Sequence, residues 1–227
     1  MSVLRLEGIR GIIAQKTRES LDKTAQMSFF CDMDASALIA ARAAWKKAGV
    51  KIGYEDLIVR ALAEVLADFP QFNAVETREG IETITELNIC CAIALPGALV
   101  APAILDAGAL TVEEIAQRRA DLVARAKINK LSIQELTGGT ISISNLGLTR
   151  TRHFTPILNY PQMAIIGLGQ IAPRPWVAPD EGTLTVRPVM GLSLTVDHRA
   201  IDGAPAGDFL TAFARKLESD VGSPTVS

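Results

Sequence analysis

The segment from Asp197 to Gly203 holds the densest group of residues that could do chemistry. His198 is one of only two histidines in the chain, and it stands between Asp197 and Arg199, with Asp202 four positions later. Imidazole is the side chain whose ordinary pKa suits proton transfer near neutral pH. A polar group between a strand and a helix is held by a rigid scaffold. The pattern therefore suggests His198 as a general base.

Two alternating strands position the polar residues. Residues 190–196 alternate apolar side chains with small or polar ones, the clearest strand pattern in the chain, and a helix is predicted directly after the His198 segment, at 204–217. Residues 140–146 form a second alternating strand, with isoleucines on one face and Ser142 and Ser144 on the other. The alternation alone does not separate the two serines, and both could simply face solvent.

The remaining elements mix helices and strands without strict alternation, which favours an α/β sandwich with a mixed sheet over a doubly wound fold. Asp34 and Gly49 are typical ends of one helix, and Thr111 to Glu114 is a capping box that starts another. Helices are predicted at 10–23, 34–49, 54–69, 111–126 and 132–136, strands near 27–33, 81–85, 89–95, 99–105 and 163–168, and a Pro/Gly-rich excursion at 170–182 with a return strand at 183–187.

Composition excludes several functional classes. The 227 residues include 23 basic and 25 acidic side chains and 5% aromatics, which argues against nucleic-acid binding. There is no glycine motif for mononucleotides or dinucleotides, and no apolar run of about 18 residues that would span a membrane. The three cysteines show no C-x-x-C spacing, so they indicate core thiols rather than a metal or redox site. We expect a cytoplasmic protein without a metal.

Four segments carry a resemblance to a known family. They are IRGIIAQKTRES at 9–20, GGTISISNLG at 138–147, FTPILNYPQMAIIGLG at 154–169 and DHRAIDGA at 197–204. Together, in this order, they resemble the catalytic domain of the dihydrolipoamide acyltransferase component of 2-oxo acid dehydrogenase complexes, which is related to chloramphenicol acetyltransferase. The resemblance covers essentially the whole chain. It implies a chloramphenicol acetyltransferase-like two-layer sandwich, with a mixed β-sheet and flanking helices, as a single catalytic domain over residues 1–227.

The resemblance also implies roles for individual residues. His198 matches the base that takes the proton from the thiol of coenzyme A or of dihydrolipoamide, so that the thiolate attacks an acyl thioester. Ser144 matches the serine whose hydroxyl donates to the tetrahedral oxyanion. Asp202 matches a motif acid that either orients the imidazole or, as we expect, forms a structural ion pair with Arg10 and locks the loop. We expect Arg199 to be a structural ion-pair partner.

Several departures from the family pattern leave the substrate and coenzyme preference open. Gly11 stands where the family carries lysine, residues 95–102 lack the family's arginine, and Val196 replaces the usual tyrosine or cysteine. No motif supports a chemical role for His153. The coenzyme A-binding residues and the identity of the acyl group are not indicated by any motif.

The chain shows no Asp-Lys-Ala lipoylation motif and no Pro/Ala-rich linker. We therefore expect no lipoyl or peripheral-subunit-binding domain in it, and a lipoyl group supplied by a lipoyl domain of another protein. The family's site lies between subunits, which implies at least a homotrimer or a larger cubic or dodecahedral core.

Two alternatives remain at this point. The chain could be a coenzyme A-dependent acyltransferase that acts on a non-lipoyl acceptor, or a non-catalytic core protein that keeps the fold. The presence of His198, Ser144 and Asp202 together argues against the second alternative, because a purely structural protein has no need of all three.

Overall fold

A computed structural model describes residues 5–95, 98–177, 182–219, 221–222 and 224. The helices within these ranges are α1 (Gly8–Lys23), α2 (Ser36–Lys47), α3 (Tyr54–Leu66), α4 (Val112–Ala126), α5 (Ile133–Thr137) and α6 (Gly203–Glu218), with 3-10 turns at Pro70–Phe72 and Ala107–Ala109. The strands are β1 (Gln26–Asp34), β2 (Ala74–Glu76), β3 (Ile81–Thr83), β4 (Ile89–Cys91), β5 (Ile93–Leu95), β6 (Ala98–Val100), β7 (Ala103–Ile104), β8 (Ile141–Asn145), β9 (Ala164–Val177) and β10 (Leu184–Asp197).

One six-stranded sheet organises the described part of the chain, in the order β1-β10-β9-β8-β4-β7. Strand β8 runs parallel to both of its neighbours, β9 and β4, and the other pairs are antiparallel. The small hairpins β2–β3 and β5–β6 stand outside this sheet. The predicted mixed sheet is confirmed.

Helices α2, α3, α4 and α6 form the second layer, on one face of the sheet. In the second half of β10, the alternating residues Met190, Leu192, Leu194 and Val196 join this core, and α6 inserts the fully buried rings of Phe209 and Phe213. The start of α4 follows its sequence signal, since Thr111 caps it in a capping box with Glu114. The predicted N-cap Asp34 instead ends β1, and Ala35 is the N-cap of α2, although the Asp34 carboxylate accepts a hydrogen bond from the Ser36 amide at 2.9 Å. The predicted α/β sandwich is therefore confirmed.

The other face of the sheet is covered by residues 151–162, which we call the covering segment. The carbonyl of Arg152 lies directly on β9 and β10 at Gly169 and Gly191, where any Cβ would overlap its oxygen. The Phe154 amide then donates to the Ser193 hydroxyl at 3.3 Å. Glycine is required at both positions because the two backbones approach so closely.

Strands β9 and β10 depart from the prediction. The prediction was a short strand followed by a Pro/Gly-rich excursion. In the structure β9 and β10 are each 14 residues long, and they pair from Val177 and Leu184 at one end to Ala164 and Val196 at the other. The opposed prolines Pro173 and Pro188 lie past the last paired residues of the flanking strands β8 and β1, where a missing amide donor is tolerated, and the Pro188 carbonyl still accepts a hydrogen bond from the Ala35 amide at 2.7 Å. The tip at 178–181 lies outside the described residues.

The strands predicted between 81 and 105 are shorter and more broken than expected, and Pro96-Gly97 lies outside the described residues. Cys90 and Cys91 are buried and Cys31 is half-buried, and all three are free thiols, as predicted. Burial raises the pKa of the Cys31 thiol to about 12. Among the described residues, no helix combines the length and apolarity needed to cross a membrane.

Candidate active site

His198 emerges where β10 ends, held by its own backbone. Its amide donates to the carbonyl of Ala25 at 2.8 Å, which ties it to the junction between α1 and β1. The imidazole remains 43% exposed, and its Nδ1 lies 3.7 Å from a carboxylate oxygen of Asp202, the N-cap residue of α6. The backbone is therefore fixed while the ring stays accessible to a substrate.

Asp197, next to His198, anchors this loop from inside. Its carboxylate is fully buried and accepts hydrogen bonds from the backbone amides of Ala25 and Arg199, at 3.2 and 3.0 Å, and from the Arg199 guanidinium at 2.7 to 3.1 Å. Burial by itself would raise the pKa of Asp197, but these donors, led by Arg199, hold it below its ordinary value. Arg199 is thus an ion-pair partner, as predicted.

The predicted ion pair between Asp202 and Arg10 does not form within a single chain, since no ion pair joins them among the described residues. Arg10 lies in the first turn of α1, whereas only the end of α1 adjoins His198. Lys23 lies thirteen positions after Arg10 in the helix, which corresponds to about 20 Å along the axis. Of the two roles considered for Asp202, contact with the imidazole is therefore the one with supporting geometry.

The two serines of β8 differ clearly. Ser142 is buried, and its hydroxyl donates to the side-chain oxygen of Gln162 at 2.6 Å. Ser144 is only partly buried, and none of the hydrogen bonds found among the described residues uses its hydroxyl. The structure therefore distinguishes the two serines, which the alternation of the strand did not. Ser144 is the serine available to a substrate.

Ser144 and His198 do not come together within one chain. Ser144 pairs with Gly167 on β9, Gly167 pairs with Ser193 on β10, and His198 lies five residues beyond Ser193. At about 3.3 Å per residue and about 4.8 Å per strand, their backbone positions lie about 19 Å apart along the sheet. A site that uses both must draw them from two copies of the chain.

Two further features were not predicted. Glu76, at the end of β2, accepts hydrogen bonds from Arg199 at 2.7 and 3.4 Å. A cleft of about 320 Å³ lies at the end of α2 and is lined by Arg42, Lys46 and Lys51. The spacing of Arg42 and Lys46 signals one basic helix face, but nothing local in the sequence links Glu76 to Arg199, 123 positions away.

The second histidine belongs to the covering segment. His153 Nε2 lies 3.1 Å from Asp32, which also pairs with Arg152, and the ring packs edge-on against Phe30. Burial by itself would raise the pKa of Asp32, but Arg152 and His153 hold it below its ordinary value. His153 thus fastens the covering segment to β1.

Comparison with known proteins places these features in context. A family model for the 2-oxoacid dehydrogenases acyltransferase (catalytic domain) matches residues 1–222. The acetyltransferase component of the pyruvate dehydrogenase complex of Corynebacterium glutamicum is 36% identical over 95% of this chain and 33% of its own length. A probable mitochondrial succinyltransferase component of Schizosaccharomyces pombe is 34% identical over 95% of this chain and 49% of its own. The chain thus spans a third to a half of these relatives.

Solved structures agree on the fold. A probable dihydrolipoamide acetyltransferase from Listeria monocytogenes superposes with a TM-score of 0.90 at 28% identity, covering 100% of this chain and 97% of that one. The cubic core of a pyruvate dehydrogenase multienzyme complex gives 0.87 at 28% identity, covering 96% and 91%. Chloramphenicol acetyltransferase gives 0.57 at 17% identity, covering 97% and 99%, a likeness of fold alone.

Proposed function

Because the chain belongs to the family of 2-oxoacid dehydrogenase acyltransferase catalytic domains, we propose that it moves an acyl group between dihydrolipoamide and coenzyme A. Both relatives described above carry acyltransferase names, one for acetyl and one for succinyl groups. The acyl group of this chain is therefore left open. In this reaction a lipoyl domain presents its dihydrolipoamide to the catalytic domain.

The observation that carries this proposal is the accessible imidazole of His198 on a fixed strand end. A free thiol has a pKa of about 8.5, so only a few per cent of it is thiolate near neutral pH. His198 takes the thiol proton as sulfur attacks the acyl thioester, and Asp202, 3.7 Å from Nδ1, stabilises the imidazolium that forms. The acyl group passes directly from one thiol to the other, and His198 then returns its proton to the departing thiolate.

Ser144 donates its hydroxyl to the oxyanion formed on the acyl carbon. One such donor is typically worth about 3 kcal/mol in the transition state. Because Ser144 and His198 stand about 19 Å apart along the sheet of one chain, we propose that Ser144 of one copy faces His198 of another. The cubic core among the structural relatives supports a homotrimer as the working unit, or a larger core built from trimers.

The basic cleft suits the phosphate groups of coenzyme A. Arg42, Lys46 and Lys51 line it, and the chain continues from it through Ile52 to the start of α3. There Glu55 accepts a hydrogen bond from Asn145, the neighbour of Ser144, at 3.4 Å. Phosphates held in the cleft would thus leave the flexible arm of coenzyme A to carry its thiol toward Ser144.

A direct assay tests the function. The protein is incubated with dihydrolipoamide and a panel of acyl-coenzyme A thioesters, and formation of acyl-dihydrolipoamide is followed. We expect turnover with at least one thioester and a fall in kcat of at least about 100-fold in His198→Ala. His153→Gln, which keeps a donor toward Asp32, is the matched histidine control and should retain activity.

No turnover with any thioester would contradict the proposed acyl transfer to dihydrolipoamide. Turnover with a non-lipoyl thiol or amine acceptor instead would point to the alternative acyltransferase. Equal activity in wild type and His198→Ala would remove His198 as the base.

A further inference from the structure

The loop that carries His198 is surrounded by more negative than positive charge. Among the described residues, the carboxylates of Asp197, Asp202 and Glu76 adjoin it, against the guanidinium of Arg199. The buried carboxylate of Asp197 already forms an ion pair with Arg199, so the charge of Asp197 is neutralised without Glu76. The second carboxylate on Arg199 therefore needs another explanation.

Glu76 reaches Arg199 from a separate element. It ends β2, and its amide donates to the Pro161 carbonyl at 2.9 Å, which fixes the backbone that carries the carboxylate. Its two oxygens engage Nη1 and Nη2 of Arg199, whereas Asp197 engages Nε and Nη2. The two carboxylates bind two different edges of the guanidinium group and so fix the orientation of its plane. Bidentate pairs of this kind are geometrically specific.

The charged groups that the nearby helix α1 brings toward the loop balance in pairs. On its last two turns, Lys23 pairs with Glu19 at 2.7 Å, and Arg18 pairs with Asp22 at 3.0 Å. Lys23 also lies over the ring of Tyr160, 4.6 Å from its centroid. Within one chain, the unbalanced negative charge close to His198 therefore comes from Asp202 and from one of the two carboxylates that share Arg199.

We propose that Glu76 is a positioning residue for the acyl transfer: acting through Arg199, it holds the His198 loop in one geometry and supplies negative charge that favours the imidazolium. This inference rests on the proposed role of His198 as a base. Glu76 touches neither substrate nor imidazole. Its effect is transmitted by Arg199, whose backbone adjoins His198, and by charge across the half-exposed loop.

The test compares Glu76→Gln with Glu79→Gln. Glu79 is exposed on the same hairpin, so its replacement removes the same charge away from Arg199. We expect Glu76→Gln to lower kcat by about three- to tenfold with little change in the KM for acyl-coenzyme A. The acid limb of its pH–rate profile should move to lower pH, while Glu79→Gln should match wild type.

A second readout does not depend on activity. The chain has two histidines, so each Cε1–H resonance in a proton NMR titration can be assigned by its loss in one variant. At low salt, Glu76→Gln should move the titration midpoint of the His198 signal down by about 0.3 to 0.5 pH units. The His153 signal serves as the internal reference and should not move.

Three results would overturn the proposal: an unmoved His198 midpoint in Glu76→Gln, an equal shift in Glu79→Gln, or a loss of kcat that is undiminished in a His198→Ala background. A wild-type protein without turnover would count against the acyltransferase function alone, because the titration still decides whether Glu76 acts on His198.

Discussion

Ser142 and Ser144 share one strand face, and the alternation does not distinguish them. The family motif selects Ser144, and the structure adds that Ser142 is engaged with Gln162, twenty residues further along the chain. The same limit applies to Arg199, whose carboxylate neighbour in the sequence was evident but whose second partner, Glu76, was not. Residue types and the family motif selected the candidate site residues. Their partners follow from packing that no local pattern encodes.

The two serines should respond differently to alanine. Ser144→Ala should lower kcat by about 100-fold with the melting temperature preserved, since one oxyanion donor is worth about 3 kcal/mol. Ser142→Ala leaves the buried Gln162 amide oxygen without its donor, so it should cost about 1 to 3 kcal/mol of stability while kcat stays within a few-fold. Steady-state kinetics and thermal melts on both variants separate the roles, and an exchange of the two phenotypes would reassign the oxyanion donor.

Asp197 should make stability depend on pH in a defined direction. Its pKa is held low in the folded chain, so its contribution is full above the unfolded value of about 3.9 and is lost as pH falls toward the folded one. At neutral pH, Asp197→Asn should therefore be markedly less stable than wild type. The difference should narrow as pH falls below about 5 in urea unfolding series.

A difference that stayed constant or widened toward low pH would show that Asp197 does not stabilise the loop through its ionised form. The Glu79→Gln variant is the control for the loss of one carboxylate, because the Glu79 side chain is exposed and lies outside the buried network.

At the level of elements, local sequence signals correctly predicted those helices and strands whose causes lie within a few residues. The capping box of α4 and the alternation in β10 gave correct elements because each has its cause within a few residues. The length of the β9–β10 pair was missed because the prolines suggested a break, although they are tolerated beyond the neighbouring strands. The covering segment has no periodicity, and its position depends on glycines in two other elements.

The covering segment should be sensitive to a single methyl group. A Cβ at Gly191 would overlap the Arg152 carbonyl oxygen and approach the His153 ring at 2.8 Å. Gly191→Ala should therefore destabilise the fold by about 1 to 3 kcal/mol or more, as overpacking does in a well-packed core. The loss should appear in chemical denaturation and as faster hydrogen exchange at the Phe154 amide.

Gly207 is the matched control, because it lies inside α6 and a Cβ added there would meet no other described atom within 4 Å. Gly207→Ala should leave the fold unchanged or stabilise it by about 0.5 to 1 kcal/mol through helix propensity. A Gly191→Ala protein as stable as Gly207→Ala would mean that the segment does not lie where the structure has it.

At the scale of the whole molecule, the sheet keeps Ser144 and His198 apart, so a site that uses both requires assembly of several copies. The ladder β8-β9-β10 separates Ser144 from His198 along one chain, and the family motif predicted both residues without indicating this distance. The separation also means that, within one chain, the exposed imidazole and the accessible serine each stand without the other nearby. The complete site is proposed to form only between copies.

Mixing two inactive variants tests this most directly. His198→Ala and Ser144→Ala chains are co-expressed in equal amounts, and acyl transfer by the purified mixed oligomers is compared with that of each variant alone. A site shared between two copies regains both wild-type residues at about one quarter of the interfaces when subunits mix at random. We therefore expect about a quarter of wild-type kcat per site. Activity no higher than that of the single variants, in oligomers shown to contain both chains, would contradict a site built from two copies.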